Sequence, residues 1–256
     1  MRPPKINHEI QYAPLRTQVY DIFPTPLIRG EMNLNHEKVA NDCRELIRGI
    51  RERRPDEVDP QRYYTTYFFE EERRTMEDFP WYTDFANQLK DTYVEFIKTQ
   101  WFRRVNHLSR HNIHLFAWAS DYTEGQHHSM HNHQNVLISG TYYPLSEGNI
   151  SPITFQSPHL QSQFIHSYQT EEIKLDMPNA VAYGTPSSHQ TVGIRPVSGE
   201  VLMWPANILH SVEGIGHGWS DMDKQQHRRI AISFNLNHVE PQQDMDKGTE
   251  MSYEFL

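Results

Sequence analysis

Two amphipathic helices are predicted in the first half of the chain. Asn35 is a favoured helix N-cap residue, and the segment 36–50 behind it carries apolar residues at helical spacing, namely Val39, Cys43, Leu46, Ile47 and Ile50. A second helix is predicted over 84–98, with one face formed by Phe85, Leu89, Tyr93, Phe96 and Ile97. The charged, aromatic-rich segment 51–74 between them predicts a solvated loop with one short strand, or alternatively a flap over a site.

After residue 110 the pattern changes to short β-branched and aromatic runs separated by Gly, Pro, Ser and Asn. Strands are predicted at about 113–119, 136–143, 152–156, 180–184, 200–204, 208–213 and 229–236. Helices followed by many short strands favour a mainly β, α+β fold: an antiparallel sandwich or barrel braced by N-terminal helices. The poorly patterned stretch 157–199 predicts an insertion between strands, and the residues after Asn237 predict a loosely packed terminus.

The last predicted strand alternates in character. One face carries the apolar residues Ile230, Ile232, Phe234 and Leu236, and the other carries Arg229, Ala231, Ser233 and Asn235. The first face is expected to be core. The second suits the lining of a cavity, where the guanidinium of Arg229 could hold a carboxylate through two parallel hydrogen bonds.

Histidines near two of the predicted strands are candidate metal ligands. His131 and His133 stand one residue apart before the 136–143 strand, a spacing that places two side chains on the same side of a strand. His210 lies in the apolar run PANILHSV. Each also has an ordinary interpretation, as a polar strand-edge residue or a half-buried strand histidine. The neighbouring His127 and His128 are expected to line the site or face solvent.

Composition narrows the class of protein. The 256 residues suffice for one large domain or two small ones, and no apolar run approaches the roughly 20 residues that a bilayer requires. The net charge of -9 disfavours nucleic acid as a partner. A single cysteine, Cys43, suits a reducing cytoplasm. Sixteen histidines is a high count for this length and favours a search for metal ligands.

The order Tyr-x-x-Gly, His-x-His, distal His and Arg resembles the Fe(II)/2-oxoglutarate-dependent dioxygenases. The segments WASDYTEGQHHSMHNHQNVLISGTYYPL, GEVLMWPANILHSVEG and RRIAISFN resemble a bacterial and phage family of 2-oxoglutarate-Fe(II) oxygenases. That family is commonly written H-x-H, SGxYY, FPxxxxH, RxxxSFN, and YDIFPTPL is similar to its N-terminal start. The likeness is dense over 116–145 and 199–236 and absent from 157–198.

The resemblance implies a single domain over 1–256. Its core at 111–237 would be a double-stranded β-helix of jelly-roll or cupin-like form, with a helical support region at 1–110 and a C-terminal tail at 238–256. The implied activity is hydroxylation of a substrate with release of succinate and CO2, using Fe(II) and 2-oxoglutarate.

The resemblance also implies roles for named residues. His131, His133 and His210 would be the metal ligands, and Arg229 would bind 2-oxoglutarate. Tyr143, which shares strand parity with His131 and His133, and Ser233, two steps inward from Arg229, are further candidates for 2-oxoglutarate binding. No separate protein acid or base is required.

One position departs from the superfamily. Its usual carboxylate ligand is replaced here by His133, although the His-x-His family has the same three imidazoles. Two other functions therefore stay open: a three-histidine, cupin-type dioxygenase that ignores 2-oxoglutarate, and a non-catalytic metal-binding β-sandwich. The expected partner is a small-molecule or peptidyl substrate, selected by the loops 51–74 and 157–198, with neither nucleic acid nor membrane involved and a homodimer as the default assembly.

Overall fold

Two six-stranded antiparallel sheets form the body of the protein. The computed structural model describes residues 6–12, 15–20, 25–54, 64–98, 108–122, 127–148, 150–158, 171–174, 177–185, 188–212 and 228–238. No helix within these ranges is long and apolar enough to span a bilayer.

Three α-helices lie in the N-terminal part of the described chain: α1 (His36–Arg53), α2 (Glu70–Glu77) and α3 (Tyr82–Phe96). A 3-10 turn at Arg110–Asn112 leads into the main strands. The predicted cap of α1 is confirmed, because the side chain of Asn35 accepts a hydrogen bond from the backbone N–H of Lys38 at 3.0 Å.

The strands precede, separate and follow these helices. Those before residue 110 are β1 (Ile6–Tyr12), β2 (Leu15–Tyr20), β3 (Ile28–Glu31) and β4 (Tyr64–Thr65). The next five are β5 (Ile113–Tyr122), β6 (His128–His131), β7 (Ile138–Glu147), β8 (Ile153–Gln156) and β9 (Glu171–Lys174). The last five are β10 (Ala180–Thr185), β11 (Ser188–Ile194), β12 (Glu200–Pro205), β13 (His210–Val212) and β14 (Arg228–His238).

The two sheets divide these strands in the manner of a jelly roll. The major sheet has the order β3-β12-β7-β14-β5-β4, and the minor sheet has the order β6-β13-β8-β11-β10-β9. Strands β1 and β2 pair with each other in a separate hairpin. This is the double-stranded β-helix that the sequence resemblance implied.

Apolar side chains fill two layers, one on each face of the major sheet. The outer layer joins α1 and α3 to the sheet and contains Cys43, Phe85 and Ile232. The inner layer lies between the sheets and contains Tyr143, Phe155 and Trp204. The predicted alternation of β14 is confirmed, because Ile230, Ile232, Phe234 and Leu236 all belong to the outer layer.

The predicted elements are largely confirmed. Both helices are present, the first ending three residues later and the second beginning two residues earlier than predicted. All seven predicted strands are present with shifted ends. The interpretation of 51–74 as a loop with one strand was wrong at both ends, because residues 51–53 complete α1 and residues 70–74 begin α2. Its N-terminal acidic cluster is favourable at a helix start, and Glu72 is buried against Arg53 at 2.9 Å.

The stretch 157–199 also differs from the predicted insertion. Its described part contributes β9, β10 and β11, which extend one side of the minor sheet. The segments 55–63 and 239–256, predicted as part of a loop or flap and as most of a loose tail, lie outside the described residues.

Candidate metal centre

Three imidazoles meet where β6 and β13 pair. His131, the last residue of β6, is the direct antiparallel partner of His210, the first residue of β13. With His133 they place three ligand atoms within 4.8 Å of one another. Two nitrogens bound to one ion at about 2.1 Å each lie at most about 4.2 Å apart, so small ring rotations suffice to share an ion.

The path between the first two histidines differs from the predicted one. His131 and His133 were expected on one strand, but β6 ends at His131 and a turn follows, in which Asn135 has a left-handed φ of 62°. His133 is held instead by its backbone N–H, which donates to the carbonyl of Ala206 at 2.9 Å. The rings of His131 and His133 still converge, with centroids 5.2 Å apart.

Backbone carbonyls orient two of the rings. Nδ1 of His131 lies 2.8 Å from the carbonyl oxygen of Ser129, and Nδ1 of His210 lies 3.0 Å from that of Ile208. A carbonyl can only accept, so Nδ1–H donates in each case and Nε2 keeps its lone pair. This is the usual arrangement of a metal-binding histidine.

Burial keeps the three rings neutral. Removal from water, together with the neighbouring His131, lowers the pKa of His210 to about 3 and that of His133 to about 4. Burial also lowers the pKa of His131, against a hydrogen bond to Ser129 that raises it. Neutral imidazole is the form that binds metal.

An inner cavity extends from the three histidines between the two sheets. We define it by Arg229, Tyr143, Tyr122, Ser233 and Trp204, which line it together with the histidines. The cavity is narrow, about 30 Å³. A dicarboxylate would therefore require its lining side chains to move apart.

Arg229 is a buried cation in this cavity. It is 1% exposed, one of its nitrogens (Nη1) donates to the carbonyl of Ser151 at 3.0 Å, and its guanidinium carbon lies 4.4 Å from the ring centre of Tyr122. Its other terminal nitrogen, Nη2, is buried and has no hydrogen-bond partner in the described part of the chain. Burial lowers the pKa of Arg229, although Tyr122 and Tyr143 raise it. A buried charge of this kind is costly unless an anion pairs with it.

Tyr143 and Ser233 both line the inner cavity. The alternation of β14 predicted this for Ser233, whereas the parity argument for Tyr143 does not apply, because Tyr143 lies on β7 and neither His131 nor His133 does. Tyr143 is 2% exposed, and its side chain hydrogen-bonds Thr141. Burial raises the pKa of Tyr143 to about 12, although Arg229 lowers it, so its hydroxyl keeps its proton and can donate. The hydroxyl of Ser233 lies 3.3 Å from that of Thr141.

A wider outer cavity of about 470 Å³ opens on the other side of the histidines. We define it by the aromatic residues Tyr67, Phe68 and Trp118 and by the amide side chains Asn132 and Gln134. His131 and His133 line both cavities, so the candidate metal centre stands between them. His127 and His128, predicted to line the site or face solvent, both line the outer cavity.

Sequence reasoning missed Trp118, Tyr122 and Trp204 as site residues. Trp118 and Tyr122 pair with Ser233 and Arg229 across β5 and β14, so pairing these two strands by parity could have found them. Trp204 precedes a proline in the quoted segment GEVLMWPANILHSVEG, and its apolar neighbours gave no sign of a role beyond core packing.

Of two comparisons of the sequence with known proteins, one gave a match. Residues 116–235 match the family model described as "Putative 2OG-Fe(II) oxygenase". A comparison with curated proteins found no significant match.

Three of the solved structures that are similar to this chain are described here. A prolyl-4-hydroxylase from Pseudomonas putida is 11% identical, covers 84% of this chain and 94% of its own, and has a TM-score of 0.44. EctD from S. alaskensis in its apoform is 12% identical, with coverages of 84% and 73% and a TM-score of 0.46. EvdO2 from Micromonospora carbonacea var. aurantiaca complexed with 2-oxoglutarate is 8% identical, with coverages of 87% and 91% and a TM-score of 0.45.

The matched segment begins on β5 and ends on β14, so it contains all three histidines and Arg229. The donor set fits both cofactors of that family, since three neutral imidazoles can hold a divalent iron ion and a buried, partly unpaired arginine can hold a carboxylate. Over residues 116–235, this chain is similar to the 2OG-Fe(II) oxygenase family.

Proposed function

We propose that this protein is a Fe(II)- and 2-oxoglutarate-dependent dioxygenase that hydroxylates a small-molecule or peptidyl substrate. In this proposal His131, His133 and His210 hold the iron. Arg229 and Tyr143 bind the far carboxylate of 2-oxoglutarate, with Ser233 beside them. The free cysteine, Cys43, is buried in the helix-side core, and we expect the protein to work in the cytoplasm.

The observation that carries the proposal is the unpaired nitrogen of Arg229. The inner cavity holds both a buried guanidinium with a free donor and three neutral imidazoles. It therefore suits a ligand that pairs an anionic group with the guanidinium and also binds the metal. 2-Oxoglutarate has this form, because its 2-oxo acid end chelates iron while its far carboxylate needs a cationic partner. A metal-binding module without turnover would have no use for the arginine.

The protein residues bind and orient the reactants. When bound, Fe(II) and 2-oxoglutarate supply the oxidising chemistry that places one oxygen atom of O2 in a substrate C–H bond, with release of succinate and CO2. The carbonyls of Ser129 and Ile208 fix the ring orientations of His131 and His210. Arg229 and Tyr143 fix the direction of the co-substrate, and burial of the inner cavity keeps bulk water away from it.

The substrate is proposed to occupy the outer cavity. This cavity shares His131 and His133 with the inner cavity and is not lined by Arg229, so a molecule there would approach the metal without displacing the co-substrate. The rings of Trp118 and Tyr67 meet edge to face with centroids 5.1 Å apart and give the cavity an apolar wall, and the side chains of Asn132 and Gln134 offer hydrogen bonds. These groups suit a substrate with both apolar and polar parts.

The test is O2 consumption by Fe(II)-loaded protein with and without 2-oxoglutarate, with succinate measured in parallel. Slow uncoupled turnover of 2-oxoglutarate makes this possible before the substrate is known. The expected result is consumption that requires 2-oxoglutarate and yields one succinate per O2 consumed in wild type, and little of either reaction in Arg229→Met. Consumption that ignores 2-oxoglutarate would support the cupin-type alternative, and failure to bind 2-oxoglutarate at all would overturn the proposal.

A further inference from the structure

Trp204 carries a second buried donor without a partner. It lies on β12, is 3% exposed and lines the inner cavity. Its indole nitrogen, Nε1, is buried and makes no hydrogen bond within the part of the chain that the structure describes. A buried indole N–H almost always has an acceptor, so this donor points to a ligand.

Neighbouring rings hold Trp204 beside the candidate metal centre. Its ring meets that of His210 edge-on, with centroids 4.9 Å apart and planes at 67°, and that of Phe155 with centroids 5.0 Å apart and planes at 71°. These contacts fix the indole from two sides. The orientation of its N–H is therefore set by packing and does not depend on a hydrogen bond.

Strand register places Trp204 and Arg229 at opposite ends of the cavity. Trp204 pairs with Ser139 on β7, and Ser139 pairs with Asn235 on β14. Asn235 and Arg229 are six residues apart on β14 (235 − 229), and the long side chains of Trp204 and Arg229 both line the inner cavity. The backbone of Trp204 is thus level with the metal end, and that of Arg229 with the far end.

We propose that the indole N–H of Trp204 binds the carboxylate at the metal-chelating end of 2-oxoglutarate. The inference rests on the proposed function and extends it by a binding residue. The cavity then offers one unpaired donor near each end of a molecule that carries a carboxylate at each end.

The test is calorimetric titration of Fe(II)-loaded, anaerobic protein with two ligands. 2-Oxoglutarate has both carboxylates, whereas pyruvate has the same 2-oxo acid end and no far carboxylate. Trp204→Phe, which keeps an aromatic ring and removes the N–H, is expected to weaken both ligands by a similar factor of about ten. Arg229→Met is expected to weaken 2-oxoglutarate and leave pyruvate unchanged.

Three results would overturn the inference. One is wild-type affinity of Trp204→Phe for both ligands. Another is weaker binding of 2-oxoglutarate alone, which would place Trp204 at the far carboxylate. The third is weaker binding of Fe(II) itself in proportion to the loss of ligand, which would mean that Trp204 acts only by supporting His210.

Two further variants separate the N–H from the ring. Benzothienylalanine at position 204 keeps the shape of tryptophan with sulfur in place of N–H. Its affinity for both ligands should fall by the same factor as in Trp204→Phe, while its Fe(II) affinity and thermal stability stay those of wild type.

Trp81→Phe is the matched control, because Nε1 of Trp81 donates to Asp42 at 2.9 Å, outside both cavities. It should change neither ligand's affinity. If wild type binds neither ligand, the proposed function itself fails; if wild type binds both and the benzothienyl variant does so equally, only this inference fails.

Discussion

His131 and His210 are directly paired residues of neighbouring antiparallel strands, and their ring centroids lie 4.2 Å apart. Their separation is therefore set by the backbone hydrogen bonds of the minor sheet. A slip of one residue in this register would turn one of the two side chains away from the site. The candidate metal centre is thus built into the sheet, and only His133 depends on the turn that follows β6.

The first prediction concerns metal binding. Replacement of His131, His133 or His210 by Ala, one at a time, should weaken Fe(II) binding by at least about 100-fold, because loss of an outer-sphere partner alone costs about 10–100-fold. Anaerobic calorimetry measures this. His114→Ala is the control, since His114 is exposed on β5 outside the candidate site. Equal binding by wild type and all three variants would contradict the assigned ligands.

The second prediction concerns the buried cation. Arg229→Met should weaken 2-oxoglutarate binding by more than about tenfold, because hydrogen bonds to charged groups contribute about 1.5–3 kcal/mol. The same change should leave the ligand-free protein as stable as wild type or more so, since it removes a buried charge that lacks an anionic partner among the described residues. Calorimetry and urea unfolding measure the two effects.

The matched control for Arg229 is its neighbour on β14. Arg228 is exposed, so Arg228→Met removes one positive charge, as Arg229→Met does, but leaves the inner cavity unchanged. It should leave the affinity for 2-oxoglutarate unchanged. An equal loss of affinity in both variants would show that general charge, and not the buried guanidinium, attracts the co-substrate.

The third prediction tests the packing beneath the site. A Cβ atom at Gly140 would lie 2.4 Å from Cζ of Phe234 and 2.6 Å from the backbone oxygen of Leu202. The second contact cannot be relieved by a side-chain rotation, so Gly140→Ala should lower the free energy of unfolding by about 1–3 kcal/mol.

Gly30→Ala is the matched control, because its Cβ would meet only Val201 at 3.8 Å. Both glycines lie in strands of the major sheet and should gain similarly from the lower entropy of the unfolded chain. Chemical unfolding that finds Gly140→Ala as stable as Gly30→Ala would contradict the tight approach of β12 to β7.

Sequence alone predicted the parts of the fold that depend on short-range periodicity. The alternation of Ile230, Ile232 and Phe234 with Arg229 and Ser233 placed each residue on its observed side, because strand side chains alternate whatever the sheet around them. The helix α2 was missed because its sequence, EEERRTME, has little apolar periodicity, and its burial of Glu72 and Met76 depends on tertiary contacts.

The order of the sequence motifs predicted which residues form the site. It did not predict the backbone path between them or their hydrogen-bond partners. The sequence pattern indicated three histidines and one arginine, but not that β6 ends at His131, which leaves His133 between that strand and the left-handed residue Asn135. Nor could it show an unpaired N–H on Trp204, because the absence of an acceptor is a property of the folded surroundings. Periodicity predicts which way a side chain faces. It does not predict whether the polar atoms of that side chain find a hydrogen-bond partner in the folded protein.

The last prediction follows from the charge of the ligand set. Three neutral imidazoles leave the full +2 on the ion, whereas an aspartate in place of His133 would leave +1, and Arg229 adds a further buried positive charge to the same cavity. Wild type should therefore hold Fe(II) more weakly than His133→Asp when 2-oxoglutarate is absent, by a factor on the order of ten. Dianionic 2-oxoglutarate should narrow the difference, because it supplies the missing negative charge. Anaerobic titration of Fe(II) with and without 2-oxoglutarate measures both effects. His133→Asn, which has the shape of aspartate without its charge, should show no gain. Equal or tighter Fe(II) binding by wild type would contradict the charge argument and would mean that ligand geometry outweighs electrostatics at this centre.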